Sequence, residues 1–221
     1  MRGETDSASR RASLLGFVAH EVRNPLSTAL WSAELLARLS IEERGGARGE
    51  KLAGMCLRSL QRLRILVEDH FLAERIEAGG MPVRVEAIPL REVVKTSAER
   101  VGAPSVTIGV DEDLTAWVDR GLLERTLDGV IAVAARGKTP VHVDGARGDD
   151  LAVLRVRGAP PAADALQPPQ KGTASDPAGR ALALHMAVHV AQALGGSLSV
   201  SGDQYVLSLP LAPAGANTDA P

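Results

Sequence analysis

A histidine, a carboxylate and a primary amide stand close together in the run Phe17-Val18-Ala19-His20-Glu21-Val22-Arg23-Asn24-Pro25-Leu26-Ser27. A neutral imidazole is a good nucleophile near neutral pH, where an unperturbed pKa of about 6.5 leaves the ring mostly unprotonated. A phosphoryl group on its nitrogen is a high-energy species that can pass on to a carboxylate. Such transfer asks for positioning and charge management more than for new covalent chemistry. Glu21 is the neighbour of His20. Residues at i and i+1 do not face each other squarely on a helix, yet a flexible glutamate reaches the second ring nitrogen, fixes the tautomer and accepts its proton. Asn24, at i+4, falls on the face of His20 one turn along, where its amide can hold a water in line with a phosphoryl group. Arg23 adds positive charge useful against an acidic partner, and Pro25 lacks the N–H that the Glu21 carbonyl would accept, so a bend is expected within a turn of the histidine. Arg23 and Pro25 are read as partner-facing.

The elements that position this run are helical. Residues 9–39 read as one long helix, because Leu14/Leu15, Val18, Val22, Leu26, Ala29, Ala33 and Leu36 recur at steps of three and four and so share a face. Residues 40–49, with Gly45-Gly46, break the pattern and read as a turn. A second helix is predicted over 50–77, with Leu52, Cys56, Leu60 or Ser59, Leu63, Val67 and Phe71 or His70 as its stripe, ended by Gly79-Gly80. Two such helices form an antiparallel hairpin. A lone hairpin leaves an apolar stripe wet, and pairing two of them into a dimeric four-helix bundle would bury it.

From residue 81 the texture changes. Strands are predicted at 81–90, 105–110, 114–118, 141–144, 151–156, 197–201 and 204–211, and helices at 91–101, 121–136 and 179–194. A loop rich in Pro, Ala, Gly and Gln fills 158–178. The layer expected is a sheet with helices on one side. Residues 212–221 read as a disordered tail. The domain division is thus 9–78 for the hairpin and 81–211 for the α/β sandwich.

Bulk properties narrow the classes without choosing one. Apolar residues make up 45% of the 221, so a real core is possible, but aromatics are only 2%, so aliphatic side chains and alanine must fill it. A net charge of −2 gives no general attraction to nucleic acid or anionic membrane. No apolar run approaches the roughly 20 residues of a membrane span, and the polar start lacks a secretory core. Cys56 is the single cysteine, without a disulfide partner or a thiolate neighbour for zinc. A cytoplasmic location is expected, with no nucleic-acid or membrane partner and no sensor segment ahead of the first helix.

The run His20-Glu21-x-x-Asn24-Pro25 with its aliphatic flanks resembles the H-box of two-component histidine kinases, and residues 9–78 resemble their dimerisation and histidine-phosphotransfer hairpin. The resemblance implies that His20 is the phosphoacceptor, Glu21 the general base and Asn24 the residue associated with dephosphorylating the partner. It also implies homodimerisation and response-regulator receiver domains as partners, with Mg²⁺ held by the receiver. Residues 83–211 resemble the ATP-binding domain that follows this hairpin, through Ile88-Pro89-Leu90-Arg91-Glu92-Val93-Val94, Trp117-Val118-Asp119-Arg120-Gly121-Leu122-Leu123 and Ala193-Leu194-Gly195-Gly196-Ser197-Leu198-Ser199-Val200.

The residues that would hold nucleotide depart from the family pattern. Where N-box asparagines present oxygen to Mg²⁺, Gly129 and Val133 stand, with Asp128 one position away. Where an aspartate of an Asp-x-Gly-x-Gly loop recognises adenine, the chain reads Val156-Arg157-Gly158-Ala159-Pro160-Pro161. Where a Gly-x-Gly-x-Gly run lets backbone N–H groups approach phosphate, it reads Gly179-Arg180-Ala181-Leu182-Ala183-Leu184, leaving Gly179 as a vestige. No cofactor or metal is therefore expected on this chain, and ATP use is doubtful. Arg157 and Arg180 are read as solvated surface. His185 and His189 have the i,i+4 spacing of metal ligands but no third ligand nearby, and His70 and His142 show nothing specific. The expectation is a histidine phosphotransferase relaying between receiver aspartates. The alternatives are an ATP-dependent sensor kinase with a divergent nucleotide site and a pseudokinase that binds a response regulator.

Overall fold

A computed structural model describes residues 2–79, 82–103, 105–167 and 180–213. The side chains of residues 2–17, His20, Ala73, Glu77, Arg180 and Ala181 lie outside what is described. So do Gly80, most of the expected 158–178 loop, Gly179 and nearly all of the expected tail. The chain divides into two units. The first comprises Met1–Leu72 with Pro168–Leu182, and the second Ala73–Gln167 with Ala183–Pro221.

In the first unit α1 spans Arg2–Arg38, α2 Ile41–Arg44 and α3 Ala47–Glu77. The expected turn thus holds a helical turn of its own, and α3 starts three residues earlier than the glycine pair suggested. Ser40 builds this connection. Its hydroxyl accepts from the Glu43 N–H at 3.2 Å, and the Glu43 carboxylate accepts from the Ser40 N–H at 3.1 Å, a reciprocal capping box. Arg44 then donates to the carbonyls of Ala37 at 2.8 Å and Leu39 at 3.1 Å, satisfying acceptors that the end of α1 leaves without helical partners. The chain turns so tightly that a Cβ on Gly49 would meet the Arg44 carbonyl oxygen at 2.1 Å. At the other end Gly79, at φ +66°, follows α3 in the left-handed region.

Val18 of α1 and Leu66 of α3 share a buried cluster with Val22 against it. The two residues are almost equally far along the chain from the turn, so α1 and α3 run antiparallel. The buried face of α1 carries Val18, Glu21, Pro25, Ala29 and Ser32, with buried Leu39 just beyond its end, and that of α3 carries Leu52, Leu66 and Asp69. This corrects the expected stripes. Leu26, Ala33, Leu60, Val67 and Phe71 are exposed, because each helix has two adjacent apolar faces and the hairpin closes over only one of them.

The second unit runs β1 Glu86–Pro89, α4 Leu90–Val101, β2 Val106–Val110, β3 Thr115–Val118, α5 Arg120–Ala134, β4 Val141–Arg147, β5 Leu151–Arg157, α6 Arg180–Ala193 from Ala183 onward, β6 Ser197–Ser201 and β7 Gln204–Pro210. The expected first strand is reduced to β1, since Leu90 opens α4 instead of closing a strand. β1 pairs antiparallel with β3. The other strands form a five-stranded sheet in the order β2-β4-β5-β7-β6, parallel only between β2 and β4. Period-two alternation gives this sheet a buried face of Val141, Val143, Ala152, Leu154, Val156, Tyr205, Leu207 and Leu209. Leu90, Val93 and Val94 of α4 and Leu123, Leu127 and Ile131 of α5 are buried with them. Arg155, Arg157 and His142 point to the opposite, exposed face.

Candidate functional site

The backbone of His20 lies in the middle of α1, which runs on through Pro25. Glu21 is only 1% exposed and belongs to the buried hairpin face with Val18. The open, flexible glutamate expected from the sequence is instead a buried carboxylate, because position 21 falls on the stripe that faces α3. Asp69 is likewise buried on α3, so Glu21 and Asp69 bracket the Val18–Leu66 contact along the hairpin. Arg23 and Asn24 are exposed. Pro25 is buried, so it is not partner-facing. It sits four residues from both Glu21 and Ala29 on the interior stripe and has no N–H to donate to the Glu21 carbonyl. One turn further, the Thr28 hydroxyl donates to the Asn24 carbonyl at 3.1 Å.

Sequence reasoning passed over Trp31. It is 54% exposed on α1, eleven residues beyond His20. That spacing is three helical turns and returns to within about 20° of the same direction, so the signal was present in the numbering.

In the second unit, α5 begins at Asp119, whose carboxylate caps the Leu122 N–H at 3.0 Å and also accepts from the Arg84 N–H at 3.0 Å. This fixes the rotation of α5. Asp128 is thereby directed at α4, where it pairs with Arg100 at 3.2 Å beside Glu124, which Arg100 binds at 3.0 Å. Burial pushes the Asp128 carboxyl above its ordinary pKa, and Ser97 and Arg100 oppose that shift. Gly129, the next position, faces α6 instead. A Cβ there would stand 3.4 Å from both the Cβ and the carbonyl oxygen of Ala183. Val133 is buried too.

At the end of β5, Gly158 passes so close to the last turn of α5 that a Cβ would meet the Ala134 carbonyl oxygen at 2.4 Å, and the Ala159 N–H donates to that same oxygen at 2.7 Å. With Gly158 in the place of the first glycine of an Asp-x-Gly-x-Gly loop, Val156 holds the aspartate's place, and it is buried to 1%. Arg157 turns to the other face and pairs with Asp144 at 2.5 Å. On α6 the rings of His185 and His189 meet edge to face with centroids 4.5 Å apart. His185 is buried, and burial first, then the charge of His189, lowers its pKa to about 4. Among the described residues no group of three metal-capable side chains forms, and no helix is long and apolar enough to cross a membrane.

The phospho-acceptor domain of histidine kinases (His Kinase A) matches residues 10–79. The signal transduction histidine-protein kinase/phosphatase MprB of Mycobacterium sp. (strain KMS) is 32% identical over 151 residues, which cover 63% of this chain and 28% of MprB. Residues 10–79 thus carry the phospho-acceptor domain of histidine kinases, and the chain is similar to two-component histidine kinases. Another relative, the sensor histidine kinase MtrB of Mycolicibacterium paratuberculosis, is 31% identical over 63% of this chain and 26% of its own length. The chain therefore spans little more than a quarter of these relatives. The fold agrees: the Acinetobacter baumannii histidine kinase AdeS superposes with a TM-score of 0.66 at 18% identity, covering 88% of this chain and 98% of the solved AdeS chain. Full-length ShkA, solved in complex with AMPPNP, superposes at 0.59 and 18% identity over 87% of this chain and 44% of ShkA. The helical hairpin followed by an α/β sheet domain is thus the histidine kinase arrangement.

Proposed function

We propose that this chain works as a homodimeric phosphotransferase that exchanges a phosphoryl group between His20 and the aspartate of a receiver domain, without ATP of its own. The observation that carries the ATP-free part is the approach of Ala183 to Gly129, which leaves room for little more than one methyl. Nucleotide and Mg²⁺ would need oxygen ligands from α5 and room beneath α6. Instead Gly129 has no side chain, the Ala183 methyl occupies the space beside it, and buried Val156 and Val133 offer no polar atom. The carboxylate one position away, Asp128, is engaged with Arg100. The residues present do not fit the group.

In the transfer, a lone pair on one ring nitrogen of His20 attacks the receiver's phosphorus. The phosphorus–oxygen bond to aspartate breaks and the carboxylate leaves with the bonding pair. The proton on the other ring nitrogen would pass to Glu21. Mg²⁺ held by the receiver would supply the neutralisation of phosphoryl charge that the transfer needs. Exposed Asn24 would place a water for hydrolysis of the receiver's phosphoaspartate, and Arg23 would meet the receiver's acidic surface. Dimerisation is supported by a second apolar strip on the hairpin, Leu26 and Leu30 on α1 with Leu57, Leu60, Val67 and Phe71 on α3, all exposed in the single chain. A second hairpin would cover it.

The relatives' names favour a second reading, an ATP-dependent kinase with a divergent site. Labelling separates the two. On the first reading, phosphorylated receiver domains label wild-type protein and not His20→Ala, while γ-labelled ATP labels neither. Labelling of His20 by ATP would establish the kinase. Equal labelling of His20→Ala by receivers would reject both.

A further inference from the structure

β6 is the last strand of its sheet, and among the described residues β7 is the only strand paired with it. Its other side presents a row of backbone N–H and C=O groups. Sheets guard such an edge with lysine, proline, a bulge or a covering element. β6 reads Ser-Leu-Ser-Val-Ser, with no charge and no proline. Its register with β7 runs without a bulge from Ser197↔Ser208 to Ser201↔Gln204. The two-residue turn Gly202-Asp203, with Gly202 at φ +62°, closes this hairpin. The pair flanking such a turn exchanges its own hydrogen bonds. Alternation therefore commits the backbone of Ser197, Ser199 and Ser201 to β7 and directs that of Leu198 and Val200 outward. The side chains of Leu198 and Val200 share the sheet face of their buried β7 partners, Leu207 and Tyr205. Leu198 is only 7% exposed there, but Val200 is 40% exposed, so the apolar face of the sheet ends at an uncovered valine.

We propose that the free edge of β6 pairs antiparallel with β6 of a second copy, Ser199 against Ser199, so that the two sheets become one. The strand is a near-palindrome about Ser199, which makes it complementary to itself under a two-fold axis. This register sets Leu198 opposite Val200 of the second copy, and the reverse. The outward backbone groups of both residues then bond each other, and each uncovered Val200 gains a leucine neighbour. Ser199 meets its own copy in a pair without backbone bonds, the closer pair type, with Cα atoms about 4.5 Å apart. Moving the axis by one residue would set Leu198 opposite Gly202 or Val200 opposite Gly196, and that apolar side chain would lose its cover. Any extended strand could satisfy the backbone of β6, but the palindrome and the matched pair of apolar residues favour a second copy. The contact is small and therefore reversible. It uses a surface separate from the apolar strip of the hairpin and does not depend on the phosphotransfer reading.

The test is disulfide trapping in the full chain, with Cys56→Ser removing the native thiol. Ser199→Cys should form a covalent dimer in oxidised glutathione, because Cα atoms about 4.5 Å apart lie within disulfide range. Ser197→Cys and Ser201→Cys, each alone, should cross-link about tenfold less, since each lies roughly 13 Å from its own copy in this register. Mixed together, those two variants should cross-link to each other. Val200→Lys places a charge on the edge without touching the bonds to β7 and should abolish cross-linking of Ser199→Cys, with an unchanged far-ultraviolet circular dichroism spectrum. Val200→Pro, which removes an outward N–H, carries the same readout if the lysine variant unfolds. Cross-linking that is absent in Ser199→Cys overturns the proposal. So does cross-linking that is equal in the three single variants, as random collision would give, or that survives both substitutions of Val200.

Discussion

Gly129 of α5 faces Ala183 of α6 across a gap that one methyl would fill: a Cβ added at 129 would stand 3.4 Å from the Ala183 methyl and from its carbonyl oxygen. Small residues on both helices let their backbones approach, and the approach consumes the volume that a longer side chain would need. On the proposed ATP-free reading, the place where the family pattern has a metal-binding asparagine differs in packing as well as in chemistry.

Gly129→Asn alone should then fail to create a nucleotide site. The added amide must push Ala183 aside, an overpacking that costs about 1–3 kcal/mol. Urea unfolding should show the loss, and titration with a fluorescent ATP analogue should stay flat. Tight analogue binding by this variant would show that the helices separate more easily than their approach implies.

The hairpin connection makes a second prediction. A Cβ on Gly49 would fall 2.1 Å from the Arg44 carbonyl oxygen, a backbone atom that cannot swing away. Gly49→Ala should cost about 1–3 kcal/mol by the same overpacking logic, although alanine is the better helix former in isolation. Thermal melting followed by far-ultraviolet circular dichroism measures it.

Ser40→Ala removes one half of the capping box on α2. The expected loss is about 1 kcal/mol, within the range for N-cap hydroxyls. Glu43→Ala should cost no more than Ser40→Ala, and the double variant should lose less than the two singles summed, since the two hydrogen bonds depend on one turn geometry. Strict additivity would argue against a coupled cap.

Buried His185 predicts an acid-sensitive sheet domain. Its pKa falls to about 4 in the folded chain, below the ordinary 6.5. The unfolded chain therefore binds the proton first. Stability is complete above pH 6.5 and is lost as the pH falls toward 4, by up to about 3 kcal/mol. His185→Leu should flatten that part of the profile. Asp128, whose carboxyl is pushed upward, acts in the opposite sense but is common to both proteins and cancels in the difference. Parallel pH profiles for the two proteins would rule out titration of His185 as the cause.

Much of this was legible in the sequence, for identifiable reasons. Helical periodicity located α1 and α3, and period-two alternation located β2, β5 and β7 close to their observed limits. The stripes were misassigned because Leu26 and Val67 continue an apolar pattern around the helix, and periodicity alone does not say which of two adjacent faces an intramolecular partner takes. That is also why Glu21 was expected in the open. Its burial follows from the position of α3, which no local pattern encodes. The orientation of Asp128 depended on the Asp119 cap and on Arg100 of α4, a contact across 28 residues of sequence. Ser40 and Glu43 had the spacing of a capping box, but the glycines after them drew the reading toward a plain turn.

The chain contains two tryptophans, Trp31 in the first unit and half-buried Trp117 of β3 in the second. Each unit thus carries its own intrinsic fluorophore. In a protein otherwise so poor in aromatic residues, Trp31→Phe and Trp117→Phe would each silence one unit. The emission that remained would report whether hairpin and sheet domain denature together or in separate steps.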